Sequence, residues 1–228
     1  MFLYFLIFSF SGWFMEVLFK FIQYGKLVNR GFLVGPICPI YGVCGVTFYY
    51  IFSNISYNPF IVFAISFLFC AVIEYLTSYV LELLFHARWW DYSHKKFNIN
   101  GRICLRNLLF FGIMGIFCVY FYDSFVLYLI DLIPTNLISI ITVVLFVLLL
   151  IDIFMSIEMV NKLHDFISNV KHDATEEISK RIRKNLVAKS FYFKRVIFAY
   201  PNFMISSDYI STLKNKIRNY SANKKNKS

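Results

Sequence analysis

Residues 59–86 read PFIVFAISFLFCAVIEYLTSYVLELLFH. A helix needs roughly 20 mostly apolar residues to cross the hydrocarbon core of a bilayer. This stretch of 28 residues carries only two acids, Glu74 and Glu82, and one histidine. It predicts a membrane-spanning helix. Its polar residues are ordered: Ser66, Cys70, Glu74, Ser78, Glu82 and His86 follow at four-residue steps, a ridge that winds slowly around the helix. Such a ridge faces protein or a water-filled cavity, not lipid. Glu74 lies ~22 Å along the helix from Pro59 at 1.5 Å per residue, at a depth where an unpaired carboxylate costs several kcal/mol. It must pair, protonate or face water.

Outward from that helix, residues 2–22, 36–53, 104–122 and 135–157 are the other candidate spans. The 228-residue chain is 59% hydrophobic and 16% charged, with a mean hydropathy of +0.62. An ordinary soluble domain has about 25% charged residues, so disorder, a disulfide scaffold and a water-soluble enzyme are excluded. The fold class is an all-α polytopic membrane protein with about five transmembrane helices. Residues 2–22 lack a basic n-region and a small-x-small cleavage site, so a span is expected there and not a signal peptide. The stretch 124–133 has Asp123 and Asp131 at its ends and stops at Pro134; it is too short to cross and predicts a segment lying on the membrane surface. The cysteines Cys38, Cys44, Cys70, Cys104 and Cys118 form no paired motif and read as packing residues.

Charge divides the chain. Residues 1–155 hold eight Lys/Arg and seven Asp/Glu, whereas 156–228 hold fifteen and six. Basic residues occupy the first connection (Lys20, Lys26, Arg30), the third (Arg88, Lys95, Lys96, Arg102, Arg106) and the tail, but not the second or fourth. The positive-inside rule then puts the amino terminus outside and the tail in the cytoplasm. Residues 1–157 form the expected transmembrane domain. Residues 158–210 form a cytoplasmic amphipathic helical extension, with Ile157, Val160, Leu163, Ile167 and Val170 at helical spacing, and 211–228 a basic, disordered tail. The tail is expected to meet anionic lipid, not nucleic acid.

Both informative loops fall on the expected cytoplasmic side. One runs from Asn29 and Arg30 through Gly35 and Pro36 to Tyr41; the other holds Arg88, Trp89, Trp90, Asp91 and Tyr92, then Asn98 and Arg102. Arg30 and Arg102 precede helix amino termini, which carry free N–H groups and about half a positive charge, a plausible anion-binding surface. Glu16 and Glu82 sit late in their helices, where a carboxylate needs a cation; Arg30, Arg88 and Arg102 are the expected partners of Glu16, Glu74 and Glu82. Two readings stand side by side: a ligand cavity, or ion pairs that clamp the helices with Trp89, Trp90 and Tyr92 as an aromatic belt. Likewise Pro36, Pro39, Gly42 and Gly45 suit either tight packing or a broken, substrate-lining helix.

No phosphate-cradling loop, zinc-protease motif, hydrolase elbow or paired-cysteine zinc pattern is present. The expectation is a non-enzyme without cofactor or metal; an intramembrane enzyme using Glu74 or Asp91 as acid or base is the outlying alternative.

Asn29-Arg30-Gly31, Gly35-Pro36-x-x-Pro39-Ile40-Tyr41-Gly42, Glu74-Tyr75, Glu82, Trp89-Trp90-Asp91-Tyr92-Ser93 and Asn98-x-x-Gly101-Arg102-Ile103-Cys104 together resemble the bacterial ABC-transporter permease family called type IV. Phe193-Lys194-Arg195 and Ala199-Tyr200-Pro201-Asn202 are similar to its cytoplasmic end. The resemblance implies a multi-pass transport protein and no substrate; the driving force is expected from a separate ATPase or an ion gradient, and a second copy is a further candidate partner. The bias toward Ile, Phe, Lys, Asn and Tyr points to a bacterial cytoplasmic membrane. The mixed charge of Arg30, Glu74, Glu82, Asp91 and Arg102 suits a small anionic or zwitterionic ligand. The rival expectation is a non-transporting scaffold or regulator that acts through its tail.

Overall fold

The structure, a computed structural model, describes residues 1–25, 29, 31–52, 58–85, 87–169 and 204–205. In chain order these form α1 (Phe2–Tyr24), α2 (Pro39–Phe52), α3 (Pro59–Phe85), β1 (Ala87–Arg88), β2 (Asn98–Ile99), β3 (Ile103–Cys104), α4 (Leu105–Phe117), a π turn (Cys118–Tyr122), α5 (Asp123–Asp131), α6 (Thr135–Asn169) and β4 (Met204–Ile205). Arg30, His86 and nearly all of the tail, with its basic end and the 193–202 motifs, lie outside the described residues.

The protein is an all-α polytopic membrane protein. Phe2–Ile22, Pro59–Phe85, Leu105–Asp131 and Thr135–Lys162 are long and apolar enough to cross a bilayer. The fifth apolar helix, α2, has 14 residues, about 21 Å at 1.5 Å per residue, less than the ~30 Å hydrocarbon core. The span expected over 36–53 therefore starts later, at Pro39. The proline ring suits the first turn, and the residues before it stay irregular.

Helices α1 and α2 pack against each other, as do α3 and α4. Glycine sets both distances: a Cβ on Gly42 would lie 2.2 Å from Ser9 Oγ, and one on Gly115 would lie 2.1 Å from Ser66 Oγ. Small residues allow this approach, where dispersion and polar contacts hold helices together. On α3 the buried face is Val62, Ser66, Cys70, Glu74 and Ser78. The polar ridge is thus turned into the bundle.

The segment 124–133 does not lie on the membrane surface. The π turn carries α4 directly into α5, and the helix ends only at Leu132, before Pro134. Asp123, which reads as a surface marker, accepts the Tyr4 hydroxyl, and Tyr122 hydrogen-bonds Ser11. Val126 is fully buried against Tyr4 and Phe8. Partners on α1 thus let an acid stay inside the helix. At the other end α6 runs without a break past residue 157 to Asn169.

Candidate functional site

Residues 31–38, ahead of α2, are non-helical, yet Leu33 and Cys38 are buried. The Cys38 N–H donates to Ser9 O at 3.0 Å, well inside α1, so this backbone sits at depth in the bundle. Irregular backbone is tolerated there only if protein satisfies it. Asp152 on α6 does so: its carboxylate accepts the N–H of Val34 at 2.8 Å and that of Gly35 at 3.0 Å. Ser156 Oγ also accepts the Val34 N–H at 2.9 Å. Asn29 Nδ2 donates to Val34 O at 3.0 Å, and Asn29 Oδ1 accepts Trp13 Nε1 at 2.7 Å. A Cβ on Gly35 would stand 2.7 Å from Asp152 Oδ2, so a side chain there would push the carboxylate off the two amides. Asp152 was not singled out from the sequence; its signal was a lone acid in the longest apolar run of the chain.

The second assembly surrounds Glu82. Arg102 and Arg88 both donate to Glu82 Oε2, at 2.6 and 2.9 Å. Arg102 also donates to Ser78 Oγ at 3.2 Å, and its guanidinium lies 5.4 Å from the Tyr79 ring centre and 5.7 Å from that of Tyr75, within cation–π reach. A tight hairpin holds it there. Asn100 and Gly101 take left-handed φ values of 52° and 67°, and the Arg102 N–H donates to Ile99 O at 3.0 Å, as an Asn-Gly turn allows. The loop before it is knitted from within. Asp91 accepts Ser93 N–H and Oγ, both at 2.9 Å. Asn98 donates to Ser93 O and Lys95 O and accepts the Gly101 N–H. Trp90 Nε1 donates to Arg102 O at 2.9 Å. Trp89 is buried against Phe32 and Phe85, so it packs into protein and does not serve as an interfacial anchor.

The third assembly lies deeper. Glu74 stands eight residues before Glu82, ~12 Å along α3, and is 5% exposed. Tyr92 reaches it from the loop and hydrogen-bonds its carboxylate. Its Oε2 has no hydrogen-bond partner among the described residues. Tyr41, in the first turn of α2, donates to Glu16 Oε1 at 2.8 Å, and the charges of Glu16 and Glu74 both act on Tyr41. Of the residues singled out from sequence, Glu16, Tyr41, Glu74 and Tyr92 thus gather in one place, and Glu82, Arg88 and Arg102 in another. Asn29, Trp90, Asp91 and Asn98 shape the loops. The guanidinium groups of Arg88 and Arg102 serve Glu82, not Glu74.

Chemically, the deep cluster offers two carboxylates and two phenolic hydroxyls beside the amino-terminal turn of α2. Such a set receives a proton or a cationic group. Residues 3–157 match the family described as "Putative ABC-transporter type IV". The chain belongs to that family. No curated protein and no solved structure matches it. The type IV match spans the residues of all three assemblies.

Proposed function

We propose that this type IV chain is the permease of a bacterial transport system. Its amino terminus lies outside the cytoplasmic membrane and its tail inside, and a separate ATPase drives it. Its ligand is a small organic cation or zwitterion that sets its cationic group on Glu74. One observation carries this reading: a buried carboxylate, within an apolar helix, keeps one oxygen without a hydrogen bond among the described residues. Leaving such a group bare is costly. Glu16 and Tyr41 are bound to each other nearby, and the two arginines that suggest an anionic ligand are already held by Glu82.

A thermal-shift screen of the purified protein against organic cations, zwitterions and anions tests the reading. Cations or zwitterions should stabilise it, and Glu74→Gln should abolish the shift while the protein stays folded. Equal shifts in Glu74→Gln, or shifts from anions alone, refute the ligand class.

A regulatory reading has its own support: β4, from the tail, pairs antiparallel with β1, Ala87 opposite Ile205 and Arg88 opposite Met204. The tail therefore touches the strand that carries a Glu82 partner. Removal of residues after 169 discriminates: a permease keeps ligand binding, whereas a scaffold loses its cellular phenotype and shows no ligand-induced shift in either form.

A further inference from the structure

Outside the bundle, where α4 meets the loop before the hairpin, a groove of about 600 Å³ opens. Lys95, Lys96 and Arg106 stand along it, and its walls include Leu109, Phe110 and Ile113, with no acidic residue among those that line it. Among the described residues none of the three cations is ion-paired, unlike Arg88 and Arg102. The apolar residues lie along one stripe of α4 and are 44–59% exposed. That stripe belongs to Leu105–Asp131, a helix of spanning length that begins at Leu105. The cations therefore stand at the start of a helix long and apolar enough to span a bilayer, and the apolar wall runs on along it.

We propose that this groove is a binding site for an anionic phospholipid, its phosphate among Lys95, Lys96 and Arg106 and an acyl chain along Leu109, Phe110 and Ile113. Charge complementarity chooses the occupant. A zwitterionic headgroup gains little from three cations, and a soluble anion makes no use of the apolar wall. The site is separate from the Glu74 cluster and stands whether or not the protein transports.

Native mass spectrometry of the full chain, titrated with phosphatidylglycerol or phosphatidylcholine, tests it. The anionic lipid should bind preferentially. Lys95→Gln/Lys96→Gln/Arg106→Gln should weaken it roughly fivefold per charge removed, since each basic residue near an anionic surface contributes about 1 kcal/mol. Lys224→Gln/Lys225→Gln/Lys227→Gln, the same charge loss in the tail, should leave the preference intact. Should the triple variant misfold, Lys96→Gln alone, at an exposed position, should still show about a fivefold loss. The proposal is overturned by equal binding of both lipids, by an equal loss in the tail variant, or by inorganic phosphate displacing the lipid from the wild type at comparable concentration.

Discussion

Glu82 and Glu74 stand two turns apart on one helix, and they are treated in opposite ways. Glu82 receives two guanidinium groups, one of them also bound to Ser78 and flanked by two tyrosine rings. Glu74 is more deeply buried and receives a tyrosine hydroxyl, with its second oxygen left over among the described residues. The first arrangement is closed: every charge has a partner, and its value lies in holding α3 to the hairpin. The second is open, and an open polar group at depth is a standing cost that a ligand can remove. Where the neutralising groups go, rather than where the acids are, separates architecture from site.

The largest expected effect comes from opening the closed cluster. Arg102→Ala leaves Glu82 with the more exposed Arg88 alone and should cost about 3–5 kcal/mol, the usual range for one half of a buried pair, read as a lower melting temperature in detergent. Asp152→Ala strips the Gly35 amide of its acceptor, while Val34 keeps Ser156. A loss of about 1–3 kcal/mol is expected for a bared buried donor, with faster amide exchange confined to 33–38. Asn100→Ala asks alanine to hold a left-handed φ, which should cost about 1 kcal/mol, and it also removes the hydrogen bond from Asn100 Nδ2 to the Tyr75 hydroxyl; both weaken the hairpin that presents Arg102 while Glu82 and its two arginines stay in place. Glu74→Gln should barely change stability, or raise it, while ligand-induced stabilisation disappears. A large loss of stability in Glu74→Gln would show that Glu74 is as structural as Glu82, and the contrast would collapse.

The broad architecture was legible because spanning helices write themselves as long apolar runs, and because polar residues at a four-residue step form a continuous, slowly winding ridge on a helix. What could not be read depended on partners distant in sequence. Asp123 looked like a surface marker because Tyr4, 119 residues away, was unknown. Asp152 went unremarked because its partners are backbone amides, which have no letter in a sequence. Trp89 and Trp90 have the composition of an interfacial belt, yet Phe32, Phe85 and the Arg102 carbonyl draw them inward. For the same reason, residue types alone could not assign the arginines to Glu82 in preference to Glu74.

The π turn at Cys118–Tyr122 has a further consequence for α5. A turn that holds one extra residue shifts the angular phase of everything after it by about 100° relative to an unbroken α-helix. A helical wheel drawn straight through Leu105–Asp131 therefore assigns the wrong side to α5. Loss of a single residue at this place would let the turn close as ordinary α-helix and keep Asp123 against Tyr4, whereas insertion of a further residue would swing it away.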